Sequence, residues 1–267
     1  MVRRAPLWAC LREAFLFVPK AWAGAWLVLS LFALAVGGLL VPLRYDPFTP
    51  SPGLLALWLL GVSVLKLATY GGLFRLALFG NRARAEGLGL GGLQIGPPEL
   101  RMLGGAALVL LFLAIVGVGL LVAVTLISAA ASGEEGRSTG VAAWVVRGVQ
   151  VLASLVLATL YVRLSLFAPA TVGRRRVVSL DALGLAQGAF WTLLLGLVVC
   201  MAPGVIAAFA SSGLIHGGPE IAAAAAGGLV ALLVFVEVPL IAGFLAAVYK
   251  HKEYLETAGG PSHGTGT

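Results

Sequence analysis

From Trp22 to Tyr249 the chain alternates long apolar runs with short polar joints, and this alternation restricts the fold more than any other feature of the sequence. The runs are about 20 residues or longer and unbroken, whereas a membrane β-strand needs only about 10 residues of alternating pattern. Hydrocarbon offers no partner to backbone N–H and C=O groups, so a segment of this kind must satisfy them internally, as a helix. Six runs qualify: Trp22–Val41, Leu54–Phe79, Met102–Ala131, Val141–Phe167, Ala189–Ala210 and Ile221–Tyr249. Charged residues are 11% of the chain, against about 25% in soluble domains, too few to cover a surface that faces water. The expected fold class is all-α: a polytopic membrane bundle of six transmembrane helices, with a membrane domain over residues 1–257 and a disordered tail over 258–267.

The joints set the orientation. Six spans put both termini on one side. Of the 18 Lys and Arg residues, fourteen then fall on that side, Arg44, Arg137 and Arg147 on the other, and Lys66 inside a span. Positive loops stay in the cytoplasm, so both termini are expected there, in a bacterial inner membrane. The net charge of +7 is read as helix orientation and attraction to anionic lipid headgroups, not as nucleic-acid binding. Tyr161–Trp191 shows how the chain turns on that side. A run ends at Arg163, a bend follows at Ala168-Pro169-Ala170, then Arg174, Arg175 and Arg176, a short segment at Ser179–Gln187, and Phe190-Trp191 opens the next run. Cytoplasmic interfacial helices are expected here and over Met1–Lys20, where apolar positions 7, 8, 11 and 15 recur at helical spacing.

A faint repeat accompanies this layout. Arg75-Leu-Ala-Leu-Phe-Gly closes the second run and Arg163-Leu-Ser-Leu-Phe-Ala the fourth, 88 residues later. Two readings stand: three copies of a unit made of a surface helix and a helix hairpin, or the chance likeness of leucine-rich spans that end in arginine.

Few residues can carry chemistry. Lys66 lies twelve residues into its run and Glu237 twelve before the end of its own, so both fall near mid-bilayer. Charges there are expensive unless paired or hydrated, and the two are expected to pair or to share a polar cavity. Ser63, Thr69 and Tyr70 join Lys66 in a polar stripe, and Pro239 removes a helix donor beside Glu237. Arg174, Arg175 and Arg176 are the expected lipid-headgroup contacts. Gly87-Leu-Gly-Leu-Gly-Gly92 has the form of a dinucleotide loop, but no strand precedes it, and a flexible loop is expected. No catalytic set, metal-ligand spacing or cofactor motif is visible.

The residues Arg163-Leu-Ser-Leu-Phe-Ala-Pro-Ala-Thr-Val and Leu185-Ala-Gln-Gly-Ala-Phe-Trp191 resemble a pattern in the YciC-like bacterial inner-membrane proteins and in the membrane domain of some glycerophosphodiester phosphodiesterases. Gly188, Phe190 and Trp191 match that pattern; Ala182, Leu183 and Ala186 replace its usual serine, tryptophan and threonine. The resemblance implies a six-span layout and no enzymatic activity. The expected function is that of a non-enzymatic membrane protein binding lipid or a membrane partner, in envelope maintenance. The alternative is a small transporter built on Lys66 and Glu237.

Overall fold

The computed structural model describes residues 6–40, 51–85, 87–94, 96–132, 140–214 and 219–258. All the regular structure among them is helical: α1 (Leu7–Leu40), α2 (Pro52–Phe79), α3 (Pro97–Ser132), α4 (Gly140–Leu164), α5 (Phe167–Arg174), α6 (Asp181–Leu185), α7 (Phe190–Leu214), α8 (Pro219–Leu232) and α9 (Val238–Ala258). Single 3₁₀ turns lie at Gly80–Arg82 and Leu90–Gly92, and a π-helical segment, Leu233–Glu237, joins α8 to α9. Six helical stretches are long and apolar enough to cross a membrane, and the chain is an all-α polytopic bundle. The acidic joint over 133–139 and the expected tail beyond Ala258 lie outside the described residues, as do Arg44 and Arg137.

Helix α1 is central, packed on α9 and α2; α7 lies against α8 and α9, and the α3–α4 hairpin joins the bundle through α2 and α5. In its first half, α1 runs against the first half of α9: a Cβ on Gly243 would stand 2.8 Å from Phe17. Both described chain ends therefore lie at one end of the bundle. The buried core gathers there, with Cys10, Leu11 and Ala14 of α1, Leu73 and Phe74 of α2, Ala170 of α5, Leu193 of α7 and Phe244 of α9. Away from it the helices splay. On α2, residues 53–61 are exposed apart from Leu55, whereas Ala68, Thr69 and Gly71–Arg75 are buried. In water such a surface would drive aggregation; in lipid it is the ordinary outside of the protein.

The expected surface helix over Met1–Lys20 falls in the first of two helical pieces of α1. They meet at Ala25, whose φ −130° and ψ 23° break the helix. The first piece buries Cys10, Ala14, Phe17, Val18 and Ala21 and exposes Trp8, Arg12, Phe15, Leu16 and Lys20. The break is where the glycine loop enters. A Cβ on Gly92 would stand 2.9 Å from Ala25, and one on Gly72 of α2 would stand 2.8 Å from the Gly92 carbonyl oxygen. Gly92 has φ +81°, a left-handed conformation that a Cβ disfavours. The expected flexible loop is therefore a packed wedge between α1 and α2.

The turn after α4 agrees better with expectation. Pro169 sits in the first turn of α5, where its missing N–H matters least. The helix ends at Arg175 in the left-handed conformation (φ 52°). Thr171 Oγ1 accepts from Val178 N at 3.2 Å, folding the arginine loop back on α5. The short α6 then leads into α7. The segments before the three odd spans thus take three forms: a helix that meets its span at the Ala25 break, a glycine wedge, and two short helices. Gly117 and Gly119 face open space, since a Cβ on either would meet nothing within 4 Å; Ala21 and Ala25, by contrast, are fully buried.

Candidate functional site

Among the described residues two carboxyls are buried, and each marks a polar centre within the bundle. The first joins α2, the glycine wedge and α3. Arg75, expected as a flanking surface charge, is 2% exposed, and its Nη2 meets Glu99 Oε2 at 2.7 Å, with Glu99 1% exposed. Arg75 Nη1 also donates to the Gly87 carbonyl at 3.0 Å and to Gln94 Oε1 at 2.7 Å. Gly96 N donates to Glu99 Oε2 at 3.0 Å, at the start of α3. The pair fits because Gly71 leaves room, since a Cβ there would stand 2.7 Å from Glu99 Oε1. One guanidinium thus fixes both ends of the wedge and the entry of α3, which makes this centre a structural clamp.

The second centre is Glu237. It lies in the π-helical segment, 8% exposed, and its Oε2 has no hydrogen-bond partner among the described residues. Pro239 accounts for part of the local geometry. Its absent N–H would have bonded Phe235 O, and the Trp22 indole Nε1 donates to that carbonyl instead, at 2.5 Å. The carbonyl freed by Pro239 is therefore taken by α1. Across from Glu237 stands α7 at Gly204, next to Pro203. A Cβ on Gly204 would overlap Glu237 Oε2, so the carboxyl occupies the space that a side chain would need.

Lys66 does not pair with Glu237. The two ion pairs among the described residues are Arg75–Glu99 and Arg174–Glu253, and Lys66 is exposed on α2. Lys66 lies at the edge of the exposed half of α2, where burial begins only at Ala68. The polar stripe divides in the same way. Ser63 and Lys66 are exposed, Thr69 is fully buried, and Tyr70 is half-buried against Phe74, ring centroids 5.9 Å apart. Ser63 and Thr69 return their hydroxyls to the carbonyls of Leu59 and Leu65, both at 2.7 Å, so neither lines a polar path.

The three arginines also differ in role. Arg174 is ion-paired to Glu253 of α9, Nη2 to Oε2 at 2.9 Å, and serves the tertiary fold rather than presenting itself whole to a headgroup. Arg175 and Arg176 are exposed, and the Arg175 carbonyl accepts from Arg101 Nη1 of α3 at 2.5 Å. Lys252, counted among the surface charges, is buried and donates to Gln187 O at 2.5 Å. Arg163 lies with Cζ 5.8 Å from the centroid of the Phe190 ring. Its counterpart in the faint repeat, Arg75, meets Glu99; the residue 88 positions beyond Glu99 is Gln187, so the second copy offers no carboxylate. Arg147, expected to reach outward, is exposed with its guanidinium 6.0 Å from the Trp144 ring centroid. The Arg75–Glu99 pair does have a signal in the sequence, a glycine one turn before an arginine and a glutamate opening the next helix. The chain matches no family model, no curated protein and no solved structure.

Proposed function

We propose that this is a non-enzymatic integral protein of a bacterial inner membrane, with both termini in the cytoplasm, and that its basic end seats anionic lipid headgroups in service of envelope maintenance. The observation that carries the reading is the imbalance of exposed charge at the end where the core is packed. Arg12, Lys20, Arg82, Arg84, Arg101, Arg175, Arg176 and Lys250 are exposed there, while Glu99 and Glu253 are taken up by Arg75 and Arg174. With Glu99 and Glu253 paired internally, the eight exposed cations stand against the exposed acids Glu13 and Asp181, so positive charge is dominant. Exposed Trp8 of α1 and Trp191 of α7 add rings suited to the headgroup level. The six-span layout agrees with the resemblance of residues 163–191 to the YciC-like membrane proteins.

The reading is tested by reconstituting the protein with phosphatidylcholine and a minor fraction of phosphatidylglycerol, then measuring the lipid retained around it by native mass spectrometry. Retained phosphatidylglycerol should exceed its bulk fraction, and Arg175→Glu with Arg176→Glu should reduce the excess. A retained composition equal to the bulk mixture would overturn it.

A further inference from the structure

Of the two carboxyls buried among the described residues, Glu99 meets a guanidinium and Glu237 meets no cation. We propose that Glu237 is a proton-binding site inside the bundle, which takes a proton from water onto its unpartnered oxygen and returns it. The inference goes beyond lipid binding and stands without it. Three observations carry it, beginning with the carboxyl itself: 8% exposed, one oxygen without a partner, in a stretch apolar enough to cross a membrane. Uptake of a proton removes a buried charge that no other described group neutralises.

The ligand is a proton because of what surrounds the oxygen. A hard metal ion takes about six or more oxygen ligands, and no cluster of three or more His, Cys, Asp or Glu exists among the described residues. The groups against Glu237 are Gly204 and Leu233, and those in electrostatic reach are Cys200 of α7 and Tyr70 of α2. Cys200 and Tyr70 are neutral in their ordinary state, and Lys66, one turn before Tyr70, is exposed. On α1 the nearby polar group is the Trp22 indole, already donating to Phe235 O. A single acceptor is enough for a proton, whereas a metal ion needs more ligands than these residues offer.

The third observation is the backbone. Glu237 ends a π-helical segment, a form that recurs at functional sites; Pro203 lies inside the facing α7, and Pro239 follows the segment in the first turn of α9. The contact between them is Gly204, whose missing Cβ leaves the space that Glu237 Oε2 occupies. The step balances simply: carboxylate and proton give carboxylic acid, one O–H bond forms, and release reverses it. Elsewhere in the centre no bond need change, because Trp22 already satisfies the carbonyl that Pro239 frees.

The test is infrared difference spectroscopy of the full chain in lipid vesicles, on stepping the bulk pH, in H₂O and in D₂O. The expected result is a carboxylic acid C=O band that responds to bulk pH, shifts in D₂O and is lost in Glu237→Gln. A spectrum without a band that depends on Glu237, or a band that ignores both pH and D₂O, overturns the proposal. Should Glu237→Gln fail to fold, wild-type protein is treated in vesicles with the apolar reagent dicyclohexylcarbodiimide, which adds to protonated carboxyls. Peptide mass spectrometry should then place an adduct on Glu237, and its absence there would overturn the proposal.

Discussion

Replacing Arg75 with Met should unfold the protein more readily than almost any other single change, and the structure sets the size of the effect. The substitution keeps much of the apolar stem and removes the guanidinium. Glu99 then stays buried with its Oε2 holding only the Gly96 N–H, and the Gly87 carbonyl and Gln94 Oε1 each lose a donor. Removing one member of a buried ion pair costs about 3–5 kcal/mol, a large part of the ~5–15 kcal/mol that typically stabilises a folded chain. Glu99→Leu should cost a similar amount, because it strands the guanidinium. The double replacement removes both charges and should cost no more than about one of the single changes, a coupling of ~3 kcal/mol. The assay is reversible unfolding in mixed micelles, followed by circular dichroism across a denaturing-detergent titration. Single effects that add to within ~0.5 kcal/mol would refute the reasoning, since a clamp made of two residues cannot be additive.

Further outcomes follow from the other contacts. Trp22→Phe should cost about 1 kcal/mol by leaving the Phe235 carbonyl without a donor; in a Pro239→Ala background, where the backbone N–H returns, that loss should shrink towards zero in the same titration. Gly204→Ala should destabilise by about 1–3 kcal/mol through collision with Glu237, whereas Gly117→Ala, with open space around it, should leave the midpoint unchanged or raise it. Arg175→Glu with Arg176→Glu should weaken retention of anionic lipid by roughly 30-fold or more, from about 1 kcal/mol for each arginine removed, read as the change in bound phosphatidylglycerol by native mass spectrometry.

The spans were legible because lipid imposes one strong rule on the sequence: a crossing segment must be long, apolar and helical. Direction around each helix was not legible. Lys66 and Glu237 are both mid-run, but the polar stripe that carries Lys66 runs from the exposed part of α2 into the buried part, so it does not say which side meets α9. Burial on α2 changes instead along the axis, between Lys66 and Ala68. The glycine wedge was hidden for a related reason. Its glycines read as slack when they are needed for close approach to Ala25 and Gly72. Arg75 was misplaced by the same convention that oriented the chain, which treats an arginine at the end of a run as a flanking charge. The π-segment had a partial signal in Pro239, but the donor that replaces the lost N–H comes from Trp22, more than two hundred residues away.

The central claim is a chain that crosses the bilayer with its packed, basic end in the cytoplasm. Cysteines placed one at a time at Arg175 and Glu135, in a chain with Cys10 and Cys200 replaced by alanine, measure this directly with a membrane-impermeant maleimide. In intact bacterial cells the cysteine at 135 should label and the one at 175 should not, and inverted membrane vesicles should reverse the result. Labelling at 175 in intact cells, or equal labelling at both positions, would contradict the claim.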